Sequence, residues 1–146
     1  MQITTFSDYS LRVLMYLAIA GDRRSSAREI AEKYEISSHH VAKVSQWLVH
    51  QGHISATRGK GGGLKLAREA TEIKIGDVIR KAERGSALVE CMRQGGGCAI
   101  NGPCGLTGIL AEAQEAFFKC LDQYNLKDTI TNQTKIAALL KIAAAG

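Results

Sequence analysis

The sequence predicts a mainly α fold with a small β-hairpin wing, a winged helix-turn-helix followed by a long dimerisation helix. Three observations predict it. Ala27, Ile30, Ala31 and Tyr34, then Val41, Val44, Leu48 and Val49, form two short amphipathic patterns separated by a tight turn. Two alternating segments flank the glycine-rich stretch Gly59-Lys60-Gly61-Gly62-Gly63, as a hairpin requires. Leu106, Ile109, Leu110, Ala113, Phe117 and Leu121 then recur on one face of a long helix.

Each element has its own local signal. Ser7 is a candidate N-cap for a first helix with Leu11, Leu14, Met15 and Leu17 inward, and Asp8 and Tyr9 in its first turn. Ser26 and Glu29 have capping-box spacing at the start of the second helix. A break at Glu35-Ile36 leads to Ser37, which can cap the third, and Gly52 suits the left-handed position after it. Ile54 to Arg58 and Leu64 to Ala67 are the predicted strands of the wing. Ile75, Val78, Ile79 and Ala82 suggest a short helix ending by Gly85, and residues from Lys135 to Ala145 suggest a last one. The spacing places Cys120 on the long helix as a small buried packing residue.

In this arrangement the outward residues at the start of the third helix, Ser37, Ser38, His39, His40 and Lys43, with Gln46 a turn later, would face the major groove of DNA. Hydroxyl, imidazole and ammonium groups can bond phosphates or base edges. Arg58 and Lys60 would ride the wing tip, with Lys65 and Arg68 adding charge. Residues 1–70 hold ten Lys and Arg against six Asp and Glu, and residues 71–146 hold nine against eight. Positive charge is thus concentrated in the half that carries the helix pair and wing.

The segment Cys91 to Cys104 holds three of the four cysteines, with Gly95-Gly96-Gly97 between them. Ordering three consecutive glycines costs backbone entropy, so such a loop is kept when something holds it. Six and then five residues lie between successive thiols, unlike the paired C-x-x-C spacing of common zinc sites or of redox pairs. A bulkier object such as an iron–sulfur cluster suits them. Two alternatives use the same residues: a thiol switch forming disulfides on oxidation, and a structural zinc site. No nucleophile–base pairing, paired carboxylates or cofactor loop points to an enzyme. The glycine-rich turn at residues 59–63 lacks the phosphate-loop pattern and leads into a strand. There is no secretory pattern or membrane-length apolar run, so the expected compartment is the cytoplasm, where thiols stay reduced.

The segments Phe6 to Leu14, Arg58 to Leu64, Ile75 to Ile79 and Leu88 to Cys91 together resemble the bacterial winged-helix transcriptional regulators that include nitric-oxide sensors and the iron–sulfur regulator IscR. The similarity runs from Met1 to about Asp128. The run Cys104 to Leu110, with Phe117-Phe118 and Leu121-Asp122, looks like the nitric-oxide-sensing branch. Thr107 stands where IscR-like members have a histidine, and the first cysteine spacing is one residue longer than in many relatives. The resemblance implies a 4Fe-4S cluster, with 2Fe-2S as the alternative, held by Cys91, Cys98 and Cys104 and by Asp8 from the other subunit of a homodimer. From the residues alone, Asp8 reads first as a carboxylate complementing the helix dipole, and the resemblance is what makes it a ligand.

The resemblance further implies a repressor of double-stranded DNA at a pseudo-palindromic operator, released when nitric oxide nitrosylates the cluster. An iron-status or redox-responsive regulator is the alternative. The expected division is a DNA-binding domain over residues 1–84, a cluster-binding loop over 85–105, and a dimerisation helix and tail over 106–146.

Overall fold

Helix α1 (Thr5–Ala20) is the central strut, and its start differs from the expected one. Thr4, not Ser7, is the N-cap: its hydroxyl accepts the Ser7 N–H at 3.2 Å, and Ser7 is itself buried in the first turn. The computed structural model describes residues 2–143; Met1 and residues 144–146, including the end of the predicted last helix, lie outside them. The buried face of α1 is also wider than a single stripe. Val13, Leu14, Tyr16 and Leu17 are fully buried, whereas Leu11 and Met15, expected inward, are only half-buried. Packing from several sides makes the face broad.

Helices α2 (Ala27–Tyr34) and α3 (Ser38–His50) follow with the predicted caps, Ser26 accepting from Glu29 N–H at 3.0 Å and Ser37 from His40 N–H at 3.4 Å. Glu35 takes a left-handed conformation to end α2, leaving Glu35, Ile36 and Ser37 as the connecting turn. Val41, Val44 and Leu48 point into the core; Val49, expected there, is 38% exposed. Gly52, at φ 73°, turns the chain after α3 as its position required.

Strands β1 (Ile54–Thr57) and β2 (Gly63–Leu66) pair antiparallel, Ile54 opposite Leu66 and Thr57 opposite Gly63. Arg58 therefore lies in the tip rather than in the first strand, and Ala67 lies beyond the second. Ser25, between α1 and α2, exchanges two backbone hydrogen bonds with Leu64 and anchors the wing to the helix pair.

Helix α4 (Ile75–Ala82) ends as predicted. Its Arg80 reaches α5 (Gly105–Leu121), pairing with Glu115 at 3.0 Å and Asp122 at 2.9 Å while its guanidinium lies 4.5 Å over the Phe118 ring. The chain then returns to the core formed by the earlier helices. Leu126 donates its N–H to Ile73 and is fully buried, and Ile130 and Ile142 join the same core. Leu126 opens helix α6 (Leu126–Thr129), Ile130 follows it, and Ile142 follows α7 (Gln133–Leu139), where Lys33 of α2 donates to the Lys141 carbonyl at 3.0 Å. The last helix is thus shorter than expected. Cys120 is exposed, not a packing residue: it stands two positions after buried Phe118, about 200° around the helix.

His53, at the junction of α3 and β1, is buried with neither ring nitrogen hydrogen-bonded among the described residues. Burial pushes its pKa below the ordinary 6.5, Arg68 adding to the effect and Asp77 opposing it. The neutral ring is therefore the folded form. Above pH 6.5 it costs nothing relative to the unfolded chain; below, the unfolded chain gains a proton that the fold resists. Thermal stability is expected to fall as pH drops from 7 to 5, and the fall should shrink in His53→Gln. Equal slopes in melts of the two proteins would exclude this origin.

Candidate DNA-binding surface and metal centre

The residues expected to face DNA are exposed to solvent. Ser38, His39, His40, Lys43 and Gln46 are exposed along α3, and Arg58 and Lys60 are exposed on the wing tip. Ser37 is exposed too, but its hydroxyl already serves the helix cap. One feature of this surface escaped the element-by-element reading. From Ile36 to Arg68 the chain carries five Lys and Arg and no acidic residue at all. A helix and wing without carboxylates repel no phosphate, and the acid-free window is legible in the sequence.

Helix α3 is not an isolated face. Phe6 in the first turn of α1 meets Trp47 edge-on at 5.3 Å between centroids, and Tyr9 lies 6.2 Å from His40. The same turn carries Asp8, whose carboxylate receives Arg12 at 3.1 and 2.9 Å. The Arg12 guanidinium in turn lies 5.7 Å from the rings of both Tyr9 and Tyr34. The i,i+4 spacing of Asp8 and Arg12 was legible in the sequence; the aromatic contacts were not.

The cysteine loop leaves a short 3₁₀ turn over Glu90–Met92 and enters α5 at Cys104, which is the N-cap position. Cys91 is half-buried, with its sulfur 3.6 Å from the Thr107 hydroxyl, one turn into α5. Cys98 is exposed, Cys104 half-buried, and all four thiols are free. The loop folds tightly at Gly96, where a Cβ would overlap the Glu90 carbonyl oxygen. The structure thus draws Cys91 toward the first turn of α5, the helix that Cys104 precedes, and leaves Cys98 exposed. It does not gather the three into a formed site: among the described residues no group of three or more His, Cys, Asp or Glu could hold a metal ion. Asp8 is likewise engaged with Arg12.

Along α5, Leu106 is 55% and Ile109 65% exposed, while Phe117 and Leu121 are half-buried against the core, so the first half of the apolar stripe is uncovered in the single chain. No helix among the described residues is long and apolar enough to cross a membrane.

Comparison with known proteins matches residues 3–132 to the family model described as Rrf2, iron-dependent transcriptional regulator. The chain is similar to the HTH-type transcriptional regulator NsrR of Halalkalibacterium halodurans, 42% identical over 97% of this chain and 99% of the relative. It is 40% identical to the NsrR of Bacillus subtilis, again over 97% and 99%. Among solved structures, CymR, the global cysteine regulator of B. subtilis, superposes with a TM-score of 0.71 at 26% identity, over 90% of this chain and 98% of that one. T. potens IscR, at 22% identity and TM-score 0.69 over 100% and 94%, shares the fold.

Proposed function

This chain belongs to the Rrf2 family of transcriptional regulators, and from that membership we propose that it is a homodimeric repressor that senses nitric oxide through an iron–sulfur cluster. The observation that carries the reading is the kind of donors that one loop supplies. Three free thiols lie on one glycine-softened loop, Cys91 has been drawn toward the start of α5, and Cys104 occupies that start. Soft thiolates suit cluster iron. The chemistry of the set fits a 4Fe-4S cluster held by Cys91, Cys98 and Cys104, with the partner subunit's Asp8 as the fourth ligand.

When bound, such a cluster supplies iron atoms that react with small diatomic gases. The chain's residues do the rest. Cys104 at a helix N-terminus gains from the partial positive charge there, which favours its thiolate. Asp8, a harder oxygen donor, has a ready alternative in Arg12, which pairs with it directly through two contacts one turn along the same helix. Its turn also carries Phe6 and Tyr9 against Trp47 and His40, so the way Asp8 is held bears directly on α3. The uncovered part of the α5 stripe, paired with its copy about a two-fold axis, would set two α3 helices at the spacing of a pseudo-palindromic operator.

The test is anaerobic protein titrated with nitric oxide, with visible absorption and operator binding read together. Brown protein that loses operator affinity on titration is expected. Colourless protein that binds and releases DNA through thiol oxidation would select the switch, and zinc without sulfide the structural site. Asp8→Ala should lower operator affinity or blunt the gas response; a variant unchanged in both would exclude the tether.

The DNA surface has its own prediction. Ser37, Ser38, His39, His40, Lys43 and Gln46 would read the groove, and Arg58 and Lys60 would bind phosphate. Changing Arg58 and Lys60 together to alanine should lower the slope of log affinity against log salt by about 2, with equal losses on operator and random DNA. An unchanged slope in a salt titration would place the wing tip away from DNA.

A further inference from the structure

Thr4 and Ser7 begin α1 and Glu83 follows the last residue of α4, yet the three meet on one carboxylate oxygen. Oε1 of Glu83 accepts the Thr4 N–H at 2.7 Å, the Thr4 hydroxyl at 2.8 Å and the Ser7 hydroxyl. Ser7 is fully buried beneath this junction. Glu83 also starts the route to the cysteines. Its N–H closes α4 on the Ile79 carbonyl at 2.8 Å, and its carbonyl accepts the Ser86 N–H at 2.7 Å. One residue therefore fastens the turn carrying Asp8 to the first residues of the cysteine loop in the same subunit.

Apolar packing around the junction is incomplete. A cavity of about 250 Å³ lies between Ile3, Leu88, Ala113, Phe117 and Phe118, with Glu83 on its wall. Where side chains do not fill the space, polar bonds carry the tie. Burial works against the charged form of Glu83, but hydrogen bonds from Ser7, Thr4 and Ser86 outweigh it and hold its carboxyl below the usual carboxylate range. The acceptor is thus ionised at neutral pH, the form that binds hydroxyl and amide donors most strongly.

We propose that Glu83 is a positioning residue for Asp8: it latches the first turn of α1 to the start of the cysteine loop, so that Asp8 is presented in one orientation. This rests on the reading that Asp8 completes a cluster. In the dimer each first turn reaches across to the other subunit while anchored to its own loop. The two loops are then joined through two latches, and loosening one latch frees both an Asp8 and the Phe6–Trp47 contact with α3.

The experiment compares the wild-type chain with Glu83→Ala and Glu83→Gln. In the metal-free protein, amide hydrogen exchange at Thr4, Ser7 and Asp8 should quicken about tenfold or more in Glu83→Ala, while Leu48 in α3 is unchanged. Glu83→Gln keeps an acceptor oxygen and should restore part of the protection; it also serves if the alanine variant does not fold. In the loaded protein, loss of visible absorption in the presence of a chelator should be several-fold faster in Glu83→Ala, with the glutamine variant between. Exchange at the first turn within twofold of wild type in both variants would overturn the latch. Faster exchange with an unchanged rate of cluster loss would overturn the positioning role. Wild-type protein that takes up no iron and sulfide would overturn the cluster reading and that role with it, while the exchange data still report on the latch.

Discussion

Replacing Cys91, Cys98 and Cys104 together by serine should reduce iron and sulfide uptake to background and abolish any effect of nitric oxide on operator binding. A serine hydroxyl does not ionise near neutral pH and is a hard donor, so it cannot stand in for thiolate on cluster iron. Operator affinity should fall by at least about tenfold if the cluster holds the dimer in its DNA-binding form, a differential of roughly 1.4 kcal/mol. The fold itself should survive. Cys98 is exposed, Cys91 and Cys104 are half-buried, and none belongs to the hydrophobic core. A melting temperature within a few degrees of wild type is the matching control. Cys120→Ser should change none of these quantities, because that thiol stands exposed on the far side of α5 from Phe118. Metal analysis, fluorescence anisotropy on operator DNA and a thermal melt cover the set. A serine variant that still binds DNA and still lets go on gas exposure would end the cluster reading.

Gly76→Ala should lower the melting temperature, against the usual direction of glycine-to-alanine changes within helices. In an open helix interior the substitution gains up to about 1 kcal/mol from backbone entropy. Here the new Cβ would overlap Asp122 Oδ1 and stand 2.7 Å from the Asp122 backbone nitrogen. The carboxylate can swing aside at the expense of its 2.9 Å pair with Arg80, but the backbone nitrogen moves only if α4 and α5 part. Overpacking of this kind costs about 1–3 kcal/mol, or roughly 3–10 °C for a chain of this size. Differential scanning calorimetry measures it directly. A melting temperature equal to or above wild type would mean that the two helices do not approach as closely as described.

The wing, the helix pair and the loop were legible for one reason: each rests on residues a few positions apart. Ser26 and Ser37 cap α2 and α3 by bonding amides three residues on. The hairpin closes within fourteen residues, and Cys104 begins α5 because the apolar repeat begins there. Where the sequence reading erred, the deciding partner was distant. Thr4 displaces Ser7 as the cap of α1 because Ser7 is taken inward by Glu83, 76 residues away. The buried face of α1 spreads past Leu11 and Met15 because α3, α4, α6 and β2 pack around it.

The sequence by itself determined the kinds of atoms in two segments: an acid-free third helix and wing, and three thiols on a loop of glycines. Side-chain identity and short-range spacing suffice for that, since charge, softness and backbone freedom belong to residues one at a time. Only the tertiary structure decided which of them touch. Arg80 on Phe118, Gly76 beneath Asp122, Ile142 in the core with the residues of α1 and Glu83 on the first turn of α1 all join segments remote in the chain. Such contacts are set by how helices pack, and packing depends on the summed shape of many side chains rather than on any local pattern.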